Sequence, residues 1–358
     1  LKLCLRSTNH WFICCRSLAY QPIERFLSTD TTVKHLEADQ FIKGNIIYCE
    51  YQAMLTSDGT YRNVIVGQHY SWPVYDYAEG RGINATFSEI SFFIQRNDTE
   101  VLIADKNNGC IRQLDRLTNI TELFAGVCEK LRGYSDIVRD GNRLNATFRR
   151  INSLFLYKST LFILESNAQR IRKLDLVSDE VSTVVTSENF TLSHHLPQTM
   201  VADSITGLMY VTTTYGLAVY NPTSDTFRYM VSYQQKGYQD GSLDASRWYY
   251  NNGMVYLPNN TLIIADINNG HLRIVNLKSE NVTTWCFYNP KTLQNCTITK
   301  PMALAIIGCS LYVSTYQRIS TIQIPESYCR SQITEDQMQW TSKLKNWVSN
   351  NNGETIGL

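Results

Sequence analysis

One stretch of this sequence is written three times along the chain. EGRGINATFSEISFFI begins at Glu79, DGNRLNATFRRINSLFL begins at Asp140, and the more divergent DGSLDASRWYYNNGMVYL begins at Asp240. Internal self-similarity is the signature of a repeat architecture, in which each copy is one structural unit packed against its neighbours. We therefore interpret the fold as an array of such units.

The repeat extends to six units. Apolar runs of similar length recur at intervals of roughly fifty residues. The residues that end the first half of each run are Glu50, Asp105, Glu165, Thr213, Asp266 and Thr315. A regular series of this length predicts a single closed domain over residues 31–326.

Each unit has the pattern of several short strands. In the second unit, EVLIAD and CIRQLD are rich in apolar and β-branched residues. They are separated by KNNG, in which Asn-Gly supplies the positive φ angles of a tight hairpin turn. ATFSEISFFIQ precedes them and ITELFAG follows. This pattern predicts an all-β, six-bladed β-propeller of four-stranded antiparallel blades. A five-bladed ring, with the N-terminal strands folded into the last blade, is the alternative.

The INATF and LNATF segments fall where one blade connects to the next. Phe87, Phe148 and Trp248 share one position in the three copies, and we expect them to fill the gaps between neighbouring blades. Pro197 and Pro301 stand at the matching point of two other units. A proline costs no ladder hydrogen bond at the start of a strand, so we expect strands to begin there.

The two ends of the chain carry weaker signals. The sixth unit shows no obvious fourth strand, and we expect residues 31–37, TTVKHLE, to supply it and close the ring. Residues 1–30 remain unassigned. The segment 327–358 predicts a short helix, with Thr334 as its N-cap and Gly353 beyond its end. We expect this helix to dock on the propeller or to lead to a further domain, and a partner-binding helix is the alternative.

Two of the strand pairs resemble a known repeat family. VLIADKNNGCIRQLD and LIIADINNGHLRIVN resemble NHL repeats, in which an apolar strand, Ala-Asp and Asn are followed by Ile-Arg-x-Leu-Asp. Units four and six depart from the pattern, because Thr213 and Thr315 replace the acidic residue. The same residue types at the same place in several units indicate scaffold, with each acid accepting backbone N–H groups or pairing with an arginine. These structural residues are Asp105, Arg112, Glu165, Arg172, Asp266 and Arg273.

Sequons and cysteines indicate the secretory pathway. All the Asn-x-Ser/Thr sequons fall in predicted turns or connections, at Asn84, Asn97, Asn119, Asn145, Asn189, Asn259, Asn281 and Asn295. Short separations between cysteines suit the disulfides of secreted proteins. The candidate pairs are Cys110 with Cys128, Cys286 with Cys296, and Cys309 with Cys329. We expect an extracellular glycoprotein or the ectodomain of a larger protein. No apolar run approaches the roughly eighteen residues of a spanning helix, so we expect no membrane insertion.

No catalytic motif stands out, because the sequence has no GxSxG, glycine-rich phosphate loop or HExxH. The NHL resemblance implies one enzymatic alternative, since the peptidylglycine amidating lyase is a secreted NHL-type propeller that holds zinc with three histidines from separate blades. His69 and His194 or His195 lie in connections towards inner strands, but His271 is poorly placed as a third ligand. We expect no metal and no cofactor, with zinc only under this alternative.

The charge balance argues against nucleic acid as a partner. The formal charge is +1, from 33 basic and 32 acidic residues, which predicts no strong long-range attraction to polyanions. Intracellular NHL propellers bind RNA through a basic, aromatic surface, and that is the less favoured second alternative. A modest cluster alternates with apolar residues and predicts solvated strand faces, at Arg149, Arg150, Arg170 and Arg172.

In a symmetric scaffold, function is expected where the units differ. The departures are SWPVYDY at 71–77, SHHLP at 193–197 and SRWYYNN at 246–252, all in predicted connections or inner-strand starts that open on one face. Their aromatic residues are of the types enriched in binding hot spots. We expect a non-catalytic module that binds a protein or glycan through this face. The candidate residues are Trp72, Tyr75, Tyr77, His194, His195, Tyr249 and Tyr250.

Overall fold

A computed structural model describes residues 23–28, 33–38, 45–68, 77–128, 138–190, 196–231, 236–286, 296–315 and 318–324. Regular structure in these ranges is almost entirely β-strand, with one 3-10 turn at Gly82–Asn84. The predicted C-terminal helix at 327–358 lies outside the described residues.

The strands form six antiparallel sheets, which are the blades of a propeller. Strands are numbered in chain order. Blade one contains β2 (Val33–Ala38), β3 (Ile46–Glu50), β4 (Ala53–Ser57) and β5 (Arg62–Gly67). Blade two contains β6 (Gly80–Arg81), β7 (Ile90–Gln95), β8 (Glu100–Asp105), β9 (Cys110–Asp115) and β10 (Ile120–Ala125). Blade three contains β11 (Gly141–Asn142), β12 (Ile151–Tyr157), β13 (Thr160–Glu165), β14 (Arg170–Asp175) and β15 (Glu180–Val185).

The other three blades follow the same plan. Blade four contains β16 (Pro197–Ala202), β17 (Met209–Thr213), β18 (Gly216–Asn221) and β19 (Thr226–Tyr229). Blade five contains β20 (Gly241–Ser242), β21 (Asn251–Leu257), β22 (Thr261–Asp266), β23 (His271–Asn276) and β24 (Asn281–Trp285). Blade six contains β25 (Leu304–Ile307), β26 (Ser310–Thr315), β27 (Arg318–Gln323) and β1 (Ile23–Ser28). The six-bladed prediction is confirmed and the five-bladed alternative is wrong.

The inner strands pack side by side around a closed ring, in the order β2, β7, β12, β16, β21 and β25. Each neighbouring pair of blades shares a hydrogen bond, donated in turn by Ile90, Ser91, Ser153, Thr212, Gly253 and Ser314. The last of these bonds runs from the Ser314 hydroxyl to the Val33 carbonyl oxygen at 3.1 Å and joins blade six to blade one. At Gly253 the backbones approach so closely that a Cβ atom would stand 2.1 Å from the Met302 carbonyl oxygen.

The outer strand of blade six comes from the beginning of the chain. Ile23–Ser28 pairs antiparallel with β27, in a register that places Ile23 opposite Ile322. The expectation that residues 31–37 supply this strand is wrong, because Val33–Ala38 is the inner strand of blade one. The propeller therefore begins within the segment that the repeat pattern leaves unassigned. Pairing the two ends of the chain covers an edge that β27 would otherwise expose.

The core consists of apolar clusters that lie between adjacent blades rather than at one centre. Phe87, Phe148 and Trp248 are 2%, 1% and 0% exposed and belong to three of these clusters, so they fill the gaps between blades as the repeat predicts. Pro197 is the first residue of β16. Large side chains at these points stabilise the ring, because burial of an aromatic residue removes much apolar surface from water.

The residues predicted as scaffold form one buried acid–arginine pair in each of blades two, three and five. The closest side-chain N–O distances are 3.7 Å for Arg112 with Asp105, 3.4 Å for Arg172 with Glu165 and 2.9 Å for Arg273 with Asp266. Every one of these side chains is fully buried. The expectation that Arg172 lies on a solvated strand face is therefore wrong.

Each arginine also ties the incoming connection to its blade. Arg172 donates hydrogen bonds to the carbonyl oxygens of Thr147 and Arg139, at 3.1 and 2.7 Å, and its guanidinium lies 5.2 Å from the centroid of the Phe148 ring. The Glu165 carboxylate accepts the backbone N–H of Arg149 at 3.1 Å. One ion pair thus fixes the gap-filling aromatic residue and the start of the inner strand together.

Two disulfides are formed in the described part of the chain, between Cys110 and Cys128 and between Cys286 and Cys296. Cys309 is also disulfide-bonded, but its proposed partner Cys329 lies outside the described residues. Cys49 is a free thiol, and burial raises its pKa to about 12.

Candidate functional site at the channel mouth

A cavity of about 490 Å³ lies on the axis of the ring and is lined by the inner strands of all six blades. Each inner strand begins at the face where the turn between the second and third strands of its blade lies, because Ile90 pairs with Asp105 and Asp105 pairs with Cys110. We call this the upper face. The channel mouth is the part of the lining at this face and comprises Lys34, Glu89, Lys106, Asn152, Gln198 and Tyr250.

Charge is concentrated on one side of the channel mouth. The Glu89 carboxylate lies 3.2 Å from the Lys106 ammonium and 3.9 Å from that of Lys34. It also accepts a hydrogen bond from the Asn107 amide at 3.2 Å. Burial opposes ionisation of Glu89, yet Lys106, Lys34 and Arg150 hold the pKa of this carboxyl below its ordinary value. Burial lowers the pKa of Lys106, although Glu89 acts in the opposite direction.

The residue that precedes each inner strand differs from blade to blade. This position holds Glu89, Arg150, Leu196 and Tyr250 in blades two to five, whereas the acid–arginine pair behind it is repeated in blades two, three and five. Arg150 and Tyr250 have φ angles of 51° and 66° there, a left-handed conformation that is uncommon for residues other than glycine. The position therefore differs in side chain from unit to unit, and its backbone is strained in blades three and five.

Below the mouth the channel lining is mixed, and it includes the polar residues Glu37 and Gln95 as well as apolar side chains. Phe92, Leu154, Met200, Leu304 and Ile306 are among the residues that line it.

His35 also lines the channel. Its ring stacks on Phe92 at 3.7 Å between centroids, and its Nε2 lies 3.1 Å from the Glu37 carboxylate.

The structure brings one of the predicted binding residues to the channel mouth. Tyr250 lines it and is 40% exposed. Tyr249 is half-buried on the same face, with the Lys236 ammonium 5.3 Å from its ring centroid. Trp72, Tyr75, His194 and His195 lie outside the described residues.

Tyr77 has a packing role in blade two. Its ring lies 4.6 Å from the Arg112 guanidinium, and its hydroxyl donates to the Glu79 carboxylate at 2.9 Å. Burial, with this hydrogen bond, raises the pKa of Tyr77 to about 12. Tyr77 therefore supports the acid–arginine frame and does not line the channel.

The histidines proposed for a zinc site are only partly described. His271 stacks on Tyr238 at 4.6 Å between ring centroids and does not line the channel, and burial lowers its pKa. His69 lies outside the described residues, as do His194 and His195. Within the described ranges, one group of three candidate ligands clusters closely, Asp105 with Cys110 and Cys128. Its two cysteines are joined in a disulfide and offer no thiolate.

The sequon asparagines lie at the surface wherever the structure describes them. Asn119 and Asn281 are half-buried, and the exposed ones are Asn84, Asn97, Asn145, Asn189 and Asn259. Asn295 lies outside the described residues. No helix in the described ranges has the length and apolarity needed to span a bilayer.

The sequence analysis missed the three charged residues of the channel mouth, Lys34, Glu89 and Lys106, as well as Asn152 and Gln198. They stand in different strands and turns, and single charged residues carry no motif. The one available signal was the comparison of units, because Glu89 and Arg150 occupy the position at which Tyr250 was singled out.

No protein-family model matches the sequence, and no significant match is found among curated proteins. Among solved structures, the chain is similar to an auxiliary nutrient binding protein from Bacteroides thetaiotaomicron, at 12% identity and a TM-score of 0.62 over 88% of this chain and 78% of that one. It is also similar to the extracellular domain of a putative one component system from the same organism, at 14% identity and a TM-score of 0.53 over 84% of this chain and 40% of that one.

A third similar structure is a gluconolactonase from Xanthomonas campestris, at 8% identity and a TM-score of 0.56 over 85% of this chain and 90% of that one. The three proteins have different roles, and identities this low show a shared fold alone. Structure and comparison therefore agree on one statement: this chain is a six-bladed β-propeller.

Proposed function

We propose that this chain is a non-catalytic extracellular binding module, built from NHL-type units, whose ligand contacts the upper face at the channel mouth. The ligand class is a protein or a glycan. Ligand sites are typically concave and of about 300–1,000 Å³, and the cavity below this mouth has about 490 Å³. A nutrient-binding protein and an extracellular domain among the similar structures support a binding role.

The observation that carries this proposal is the placement of Tyr250. An aromatic side chain that is 40% exposed, held in a left-handed backbone conformation, lies at the opening of the cavity. Tyrosine is among the residue types that dominate binding energies, because its ring buries a large area and its hydroxyl keeps a polar contact.

The extracellular location is supported by the bonded cysteines and the exposed sequons. The disulfides Cys110–Cys128 and Cys286–Cys296 would be reduced in a cytosol. Surface asparagines in sequons are accessible to glycosylation on secretion.

The proposal is tested by measuring binding of the secreted protein to arrays of purified glycans and of extracellular proteins. We expect Tyr250→Ala to weaken binding about tenfold or more. The matched control is Tyr61→Ala, because Tyr61 is 73% exposed in the turn between the third and fourth strands of blade one, on the opposite face. Equal losses for the two variants, or no binding to either array, would overturn the proposal.

A further inference from the structure

We infer that the channel mouth binds an acidic sugar, with Lys34 and Lys106 contacting its carboxylate and Tyr250 contacting its ring. This inference rests on the proposed function and names its ligand class.

Among the described residues, two lysines flank the one carboxylate on the charged side of the mouth. Lys34 and Lys106 approach Glu89 within 3.9 and 3.2 Å, and the positive charge of Arg150 also lowers the pKa of Glu89 and that of Lys106. Like charges held together repel one another, and an anionic ligand group would relieve that repulsion.

Burial strengthens the electrostatic interactions of these charged groups. The Lys106 and Glu89 side chains are only 16% and 13% exposed, so water screens them less than it screens charges on an open surface. The Lys34 side chain is 26% exposed and faces the opening. A ligand carboxylate that reaches this place gains charge-assisted hydrogen bonds in a partly desolvated environment.

On the opposite side of the mouth, the described lining residues carry no charge. There Tyr250 offers an exposed ring, and Asn252 of β21 adds an amide, which can both donate and accept hydrogen bonds. A sugar ring has an apolar face for the first contact and hydroxyl groups for the second. An acidic sugar thus matches both sides at once within a single small ring.

The test compares glucuronate with glucose by titration calorimetry on the complete secreted protein. The two sugars differ only in the carboxylate, so we expect glucuronate to bind about tenfold more tightly or better, and the difference to shrink with added salt. N-acetylneuraminate forms a second arm, which distinguishes a sialic acid from a hexuronate as the source of the carboxylate. A glutamate-rich peptide forms a third.

Three variants separate recognition from folding. Lys106→Met should weaken glucuronate binding about tenfold, and Glu89→Gln should strengthen it because a competing carboxylate is removed. Lys278→Met, in the exposed turn between β23 and β24, is the matched control and should change nothing. Thermal melting of each variant reports whether the fold is intact.

Equal binding of glucose and glucuronate, no binding of either sugar acid, or preference for the acidic peptide would overturn this inference. So would a loss in Lys278→Met as large as that in Lys106→Met. The arrays described above keep the two proposals apart. If a neutral ligand binds and its binding depends on Tyr250, the proposed function is supported and the acidic-sugar inference is wrong. If no ligand shows binding that depends on Tyr250, both proposals are wrong.

Discussion

At the residue scale, buried acid–arginine pairs fix the connections between blades. Glu165 lies within the sheet with both oxygens out of solvent, and Arg172 is its nearest cation. Arg172 also contacts Asp140, at 2.6 Å, where the connection enters blade three. Breaking such a pair is costly because the remaining charge has no access to water. The repeated acid and arginine are therefore a constraint of folding, which explains why they recur while the neighbouring mouth residues vary.

The protonation of Glu165 makes the stability of the protein depend on pH. Burial raises the pKa of Glu165 to about 7 from an ordinary value of 4.5. Between these values the folded state binds more protons than the unfolded state, so this group lowers the free energy of unfolding as pH rises. We expect Glu165→Gln, which stays neutral, to show a smaller fall across the window than the wild type.

Urea unfolding at both ends of this pH window provides the measurement. Glu180→Gln is the control, because Glu180 is exposed on β15 of the same blade. It should follow the wild-type curve. A wild-type unfolding free energy that rises with pH relative to that of Glu165→Gln would contradict the expected sign.

At the element scale, the decisive strand is β1. It adds the fourth strand to blade six and is far in sequence from β25, β26 and β27. Without it, β27 would present a row of unpaired N–H and C=O groups. The hydrogen bond from Ser314 to Val33 closes the ring on the inner side, and the pairing of β1 with β27 closes it on the outer side. Blade six is therefore built from an early strand and three late strands of the sequence.

We therefore predict that removing residues 1–28 destabilises the protein and promotes self-association through β27. The matched control lacks residues 1–22 and keeps β1, so the two proteins differ only by Ile23–Ser28. Urea unfolding midpoints and light-scattering masses give the comparison. Identical midpoints and monomeric masses for the two shortened chains would show that β1 is dispensable.

At the scale of the whole molecule, the ring separates two faces with different tasks. The upper face carries the channel mouth, and the lower face carries hairpin turns such as the one at Asn97. Exposed sequons occur both in the connections between blades and in the lower turns.

The proposed extracellular location predicts N-glycans on secreted protein at Asn84, Asn97, Asn145, Asn189 and Asn259, which are exposed. Peptide mapping by mass spectrometry, before and after enzymatic removal of N-glycans, measures occupancy at each site. Asn260 is an internal control, because it adjoins Asn259 but lies in no sequon. Unmodified asparagines together with free thiols at Cys110 and Cys128 would contradict an extracellular location.

The sequence by itself determined the number of blades, the four main strands of blades two to five and the gap-filling role of Phe87, Phe148 and Trp248. These features follow from patterns within a few residues and are written several times, so each copy supports the others. Only the tertiary structure decided which strand closes the ring, because pairing between distant segments leaves no local signal and both residues 23–28 and 31–37 suit a strand. It also decided which residues form the channel mouth, since Lys34, Glu89 and Lys106 come together from separate elements around the axis. A repeat pattern records what the units share, whereas a binding site is built from what they do not.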